Sequence, residues 1–125
     1  MSLAMTAYCK SALAVILSFS AFHVPKAWAL PEVVVEIKNH LFYPQDVVVP
    51  AGKKVRLTFI NFDSTPEEID SFALNREKVI FANSKGTIFI GPLSPGEYPF
   101  FGEFHPNSAV GKVVVKSATE SANVN

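Results

Sequence analysis

The chain has 125 residues, 49% of them hydrophobic, and its 11 Lys+Arg balance 11 Asp+Glu. That length fits one small domain, and a formally neutral chain offers neither the basic surface that nucleic acid requires nor a basic face for a membrane. A single cysteine, Cys9, excludes a disulfide within the chain.

The first thirty residues read as an export segment. "MSLAMTAYCK" carries one Lys and no acid, "SALAVILSFSAFHV" is an apolar run, and "PKAWA" ends in a small-x-small pattern. This order predicts a secretory signal over residues 1–29, with the mature chain beginning at Leu30. The apolar run falls short of the roughly 20 residues that span a bilayer, which argues against an anchor. Cleavage removes Cys9, Met1 and Met5, so the mature chain has no sulfur ligand. It also removes Lys10 and Lys26, leaving 9 Lys+Arg against 11 Asp+Glu.

Short β-type runs then follow at turn-punctuated intervals. "VVVEIKN" (33–39) is β-branched, and "DVVVP" (46–50) leads into an Ala-Gly turn. In "KVRLTFIN" (54–61) Val55, Leu57 and Phe59 alternate with Lys54, Arg56 and Thr58, the period of a half-buried strand. "KVIFA" (78–82), "GTIFIG" (86–91), "EYPFFGEF" (97–104) and "GKVVVK" (111–116) complete the series, with Pro44, Pro50, Pro92, Pro95 and Gly96 at the connections. "PEEIDSFALNRE" (66–77) reads as a helical turn or a loop, and "NREK" within it as a solvated charged segment. Seven or eight short strands without helices predict an all-β sandwich over residues 30–116. The polar stretch 117–125 reads as a frayed, flexible tail.

Three stretches together resemble the cupredoxins: "NHLFYPQDVVVPAGKKVRLTFIN", "NFDSTPEE" and "LSPGEYPFFGEFHP". The resemblance implies a Greek-key β-sandwich with a metal site among the loops at one end. Longer motifs, "STPEEIDSFALNREKVI" and "GPLSPGEYPFFGEFHP", are similar to those of periplasmic cupredoxin-like proteins associated with bacterial iron-uptake permeases. Asn39 and Ile69-Asp70 depart from that narrower pattern. It implies a periplasmic location, and as partners an inner-membrane iron permease or a periplasmic iron-binding protein.

Blue copper requires two His nitrogens, a Cys sulfur and a weak axial Met. Carried onto this sequence, the first His slot holds Glu67, the Cys slot holds Gly102, and the second His slot keeps His105, while the Met position is lost. A blue-copper centre is therefore excluded. The turn after the first strand lies, in the resemblance, at the same end as these loops, so His40, Glu67 and His105 are expected to converge. Glu68, Asp70 and Glu103 stand as further oxygen donors. Two imidazoles with carboxylate oxygens suit Cu(II), Zn(II) or iron rather than Cu(I), with Cu(II) favoured. Glu67, in the first-ligand slot after Pro66, is favoured over Glu68; either reads alternatively as an exposed loop carboxylate or a helix first-turn acid, and Glu103 as a solvent-facing strand residue. Phe100, Phe101 and Phe104 read as core or rim aromatics, with Phe101 and Phe104 placed to shield the site. No nucleophile–base pair or Gly-rich phosphate cradle points to an enzyme, which leaves only ferrous-ion oxidation by a bound metal open. The competing reading is a metal-free module that docks a protein partner with the same end.

Overall fold

The computed structural model describes residues 20–23 and 29–121. The export segment assigned to residues 1–29 falls almost entirely outside the described residues. Among the described residues no helix is long and apolar enough to cross a membrane.

Nine strands follow one another: β1 (Glu32–Lys38), β2 (Leu41–Tyr43), β3 (Asp46–Pro50), β4 (Val55–Asn61), β5 (Glu67–Ser71), β6 (Arg76–Ile80), β7 (Lys85–Ile90), β8 (Gly96–Gly102) and β9 (Val110–Lys116). One turn of helix, α1 (Ala118–Ser121), stands in the segment read as a tail. The strands form two mixed sheets, ordered β2-β1-β4-β7 and β3-β9-β8-β5-β6. Pairings between strands distant in sequence (β1 with β4, β3 with β9, β5 with β8) carry the chain back and forth between the sheets. This is the all-β sandwich expected, with two strands more than the seven that the sequence marks.

Both additional strands have a physical reason for having been missed. β2 is only three residues long and pairs with β1 through a two-residue loop, Asn39-His40. Both loop residues have positive φ, 51° and 60°, the requirement of a tight hairpin whose twist matches its strands. β5 does alternate, for Glu67, Ile69 and Ser71 are buried while Glu68 and Asp70 are half-exposed. Its inward positions begin with a carboxylate and end with a hydroxyl, so hydropathy hides the period of two. The helical turn or loop expected over 66–77 is therefore corrected to β5, a turn, and β6. The charged "NREK" segment is for the most part edge strand, since Arg76, Glu77 and Lys78 are exposed in β6. Charge along an unpaired sheet edge discourages pairing with another chain.

Alternating residues of both sheets fill the space between them. Val35 and Ile37 of β1, Val55, Leu57 and Phe59 of β4, Ile69, Ile80, Ile90 and Val113 are all fully or almost fully buried. Phe42, Phe59 and Phe100 meet at the centre with ring centroids 5.1–6.1 Å apart. The inward phase of β4 runs on to Asn61, 1% exposed, at the end of the sandwich where the candidate site lies.

Candidate metal centre

Asn61 and Asp63 organise the loop end. The Asn61 side-chain amide donates to the carbonyls of Thr65 (2.9 Å), Ile80 and Phe81 (both 3.3 Å), and its oxygen accepts the Asp63 N–H at 3.0 Å. Asp63 in turn accepts the backbone N–H groups of Asn39 (2.7 Å) and His40 (2.9 Å), one on each carboxylate oxygen. Asp63 thus fixes the left-handed hairpin loop, which aims the His40 ring across the end of the sandwich. The ring's Nδ1 lies 3.5 Å from Asp63 Oδ2. Neither Asn61 nor Asp63 stood out as functional in the sequence. The available signals were the N-x-D spacing of Asn61 and Asp63 in "NFDSTPEE", part of the cupredoxin resemblance, and Asn61 falling on the inward phase of β4.

Glu67 begins β5 with its side chain turned inward, and only 2% of that side chain is exposed. One carboxylate oxygen, Oε1, accepts the N–H of Glu68 and the N–H of Phe104, both at 3.0 Å. The other, Oε2, lies 2.6 Å from Nδ1 of His105. A carboxylate can only accept, so in this arrangement the imidazole carries its proton on Nδ1. The tight turn after β8 places that ring: His105 N–H donates to Gly102 O at 3.1 Å, and Ala109 N–H to His105 O at 2.9 Å. The His105 ring stacks on His40, with centroids 3.5 Å apart and planes 13° from parallel.

His40, Glu67 and His105 therefore each bring a ligand atom within 4.8 Å of the other two. The donors fit a divalent ion on chemical grounds. Two imidazole nitrogens and a carboxylate oxygen form a borderline-hard set without thiolate or thioether, matching Cu(II), Zn(II) or iron. Residues from β5, the β1–β2 hairpin and the β8–β9 turn supply the groups, so the sandwich itself preorganises them. A metal held by Glu67 and His105 would compete with the proton they share, which would couple binding to proton release.

The remaining acids are not brought to the imidazoles. Strand alternation turns Glu68 and Asp70 to the face opposite Glu67. There Glu68 and Glu103 meet Glu77, a residue the sequence gave no reason to single out, with carboxylate oxygens within 4.8 Å of one another. Asp70 stands directly across from Glu77 in the β5–β6 pair. Glu103 lies just beyond β8, in the turn rather than the strand, and donates its N–H to Glu68 O at 2.8 Å. The Glu68 carboxyl is pushed up from its ordinary 4.5 to about 7. The chief cause is a hydrogen bond with Glu77; partial desolvation and the charges of Glu103, Glu77 and Asp70 add to it. As rim aromatics, Phe104 is 47% exposed and Phe101 packs beside Phe72, with centroids 6.0 Å apart.

Residues 10–115 match the family model of the cupredoxin-like domain. The uncharacterised protein RP394 of Rickettsia prowazekii (strain Madrid E) is 43% identical over 84 residues, 67% of each chain. Among solved structures, amicyanin from Paracoccus versutus aligns with a TM-score of 0.54 at 22% identity, over 68% of this chain and 81% of that one. The metal-binding domain of the Streptococcus pneumoniae D39 Cu(I)-exporting P-type ATPase CopA, solved with Cu(I), aligns with a TM-score of 0.58 at 15% identity, over 68% and 84%. At these identities the solved structures speak to the fold alone.

Proposed function

The chain belongs to the cupredoxin-like domain family, and we propose that it is an exported protein that binds copper or iron through His40, Glu67 and His105 and assists iron uptake. The observation that carries this reading is the buried Glu67 carboxylate, already paired with one of two stacked imidazoles. Copper(II) is the favoured ion, because among divalent first-row metals nitrogen and oxygen donors hold it most tightly. Iron is the second candidate, since two imidazoles and one carboxylate with open positions form a recognised Fe(II) arrangement.

With no Cys or Met beyond residue 29, the centre has no thiolate to give intense colour or a tuned blue-copper couple. In this reading the protein hands the bound metal, or its electron, to a permease or a periplasmic iron-binding protein. This part of the reading rests on the motifs "STPEEIDSFALNREKVI" and "GPLSPGEYPFFGEFHP" together with the export segment, and places the protein in the periplasm. Elemental analysis of protein purified without chelator, followed by titration with Cu(II), Fe(II) and Zn(II), tests it. One bound ion per chain with a pale, nitrogen- and oxygen-ligated Cu(II) spectrum is expected; an intense blue colour or no uptake of any of the three ions overturns it.

One observation favours the second reading, a metal-free docking module. Phe62, Phe81 and Phe104 are 52%, 70% and 47% exposed in loops at the same end as the imidazoles. A chain that takes up none of these ions is better described that way.

A further inference from the structure

Gly102 occupies the position where a blue-copper protein would place its cysteine, and its neighbours explain why it has no side chain. A Cβ built on it would lie 2.5 Å from Cδ and 2.8 Å from Oε1 of Glu67, and 2.7 Å from Cβ of Ala109. Contacts this short do not persist, so something must move. The need is for space rather than backbone freedom, because Gly102 is not among the residues with positive φ, unlike Gly52, Gly91 and Gly96. Its case also differs from Gly86 and Gly111, where a Cβ would press on Ile80 and Phe100 of the apolar core. Only at Gly102, among the chain's six glycines, would the Cβ fall within 3.0 Å of an ionisable side chain.

We infer that Gly102 is a positioning residue of the metal centre: its missing side chain is the space that admits the Glu67 carboxylate, so that the centre presents oxygen rather than sulfur beside its imidazoles. This rests on reading His40, Glu67 and His105 as the ligands. Ala109 is fully buried and tied by its backbone to Gly102 (2.7 Å) and His105 (2.9 Å), so it yields little. The Glu67 carboxylate, at the end of a side chain, is the group that moves. In moving it gives up the N–H groups of Glu68 and Phe104 and the ring of His105. Side chains at 67 and 102 thus compete for one volume. A carboxylate in its present place at 67 and a side chain at 102 exclude each other.

The test is a double-mutant cycle on the full chain with Cu(II) alone as the probe. A methyl group at 102 also meets Ala109, so Gly102→Ala is made in an Ala109→Gly background, which removes that second contact and keeps the fold. Relative to Ala109→Gly, adding Gly102→Ala weakens Cu(II) binding by about tenfold or more, the usual cost of displacing a group that orders a metal site. In an Ala109→Gly/Glu67→Ala background the same substitution changes affinity by less than about twofold, because coupled residues are not additive. Equal losses in both backgrounds, or no loss in the first, overturn the inference. A metal-free readout separates it from the ligand reading. The hydrogen-bonded Nδ1 proton of His105 is visible by NMR in wild type and Ala109→Gly, and absent in Gly102→Ala/Ala109→Gly. If wild type takes up no Cu(II), the ligand reading fails while this signal still decides whether Gly102 admits Glu67; a signal that survives Gly102→Ala overturns that as well.

Discussion

Two glutamates adjacent in sequence, Glu67 and Glu68, have opposite circumstances. Glu67 is buried among donors, receiving two backbone N–H groups and an imidazole. Glu68 lies on the other face of the same strand, against Glu77 and Glu103, where the neighbours are other carboxyls and its own proton is held up to about pH 7. Composition treats the pair as equivalent acids. The difference comes from strand alternation and from what lies across each face: the β1–β2 hairpin and β8–β9 turn inside, the charged edge strand β6 outside. A carboxylate that faces donors is organised as a ligand. One that faces other carboxylates binds a proton more tightly and shows no comparable preorganisation.

The most severe way to break the contrast is Glu67→Ala. It leaves the Glu68 and Phe104 N–H groups without their side-chain acceptor in a part-buried position, a loss of about 1–3 kcal/mol for each group that water does not reach. Denaturant unfolding should show a lowered midpoint with an unchanged slope, which reports stability rather than compactness. Cu(II) affinity should fall at the same time, by about tenfold or more. A variant as stable as wild type would mean that water satisfies those donors and that Glu67 is not truly sequestered.

His105→Ala comes next, and here the geometry revises what the sequence implies. Read as a surface imidazole, its removal would change stability by no more than about 0.5 kcal/mol. It is instead the partner of a carboxylate whose side chain is only 2% exposed. Breaking a hydrogen bond to a buried charged group costs about 1.5–3 kcal/mol. Titration calorimetry should therefore find no Cu(II) binding, and thermal unfolding should find a lowered Tm. Unchanged binding would move the site elsewhere.

The buried partner of His105 lies 38 positions away in sequence, and contacts at such range set how far the sequence could be read. Apolar alternation identified seven strands, because in β1, β4 and β9 the inward positions are Val, Leu, Ile and Phe. It failed at β5, where the inward positions are Glu67, Ile69 and Ser71, and at β2, which is too short to show a period. The metal trio was legible because its slots sit in recognisable motifs. What motifs do not carry is what lies across the fold: Asn61 and Asp63 fixing the loops, Glu77 facing Glu68, and Gly102 leaving room for Glu67. Each depends on contacts between residues 9 to 35 positions apart in sequence: Glu68 with Glu77, Asn61 with Ile80, Asp63 with Asn39 and His40, and Gly102 with Glu67.

His40 offers a milder perturbation of the inner face. Because its φ is 60°, His40→Ala would mix loss of the imidazole with backbone strain. Asn tolerates that conformation well, so His40→Asn isolates the ring. Asp63 holds the hairpin through backbone N–H groups, and these survive the substitution, so stability should stay within about 0.5 kcal/mol. Cu(II) affinity should fall by about tenfold or more, as expected when a metal loses one of its protein donors. Unaltered affinity would remove His40 from the ligand set and leave its stacking on His105 as its sole role.

The gentlest test acts on the outer face, through pH. Folding raises the Glu68 carboxyl from 4.5 to about 7, mainly through its hydrogen bond to Glu77. Between those values the folded chain holds a proton that the unfolded chain releases. The stabilising contribution of Glu68 is therefore fully present below about pH 4.5 and is lost as pH rises through about 7. Glu68→Gln is neutral at every pH and keeps a donor for Glu77. Its stability should match wild type near pH 4.5 and exceed it progressively above, levelling off past pH 7. The group is exposed, so salt screening should shrink the gain. Unfolding midpoints of the two proteins, compared from pH 4 to 8 at low and high salt, measure this. A difference independent of pH would mean that Glu68 shares no proton with Glu77, and that the two faces of β5 differ in burial but not in charge.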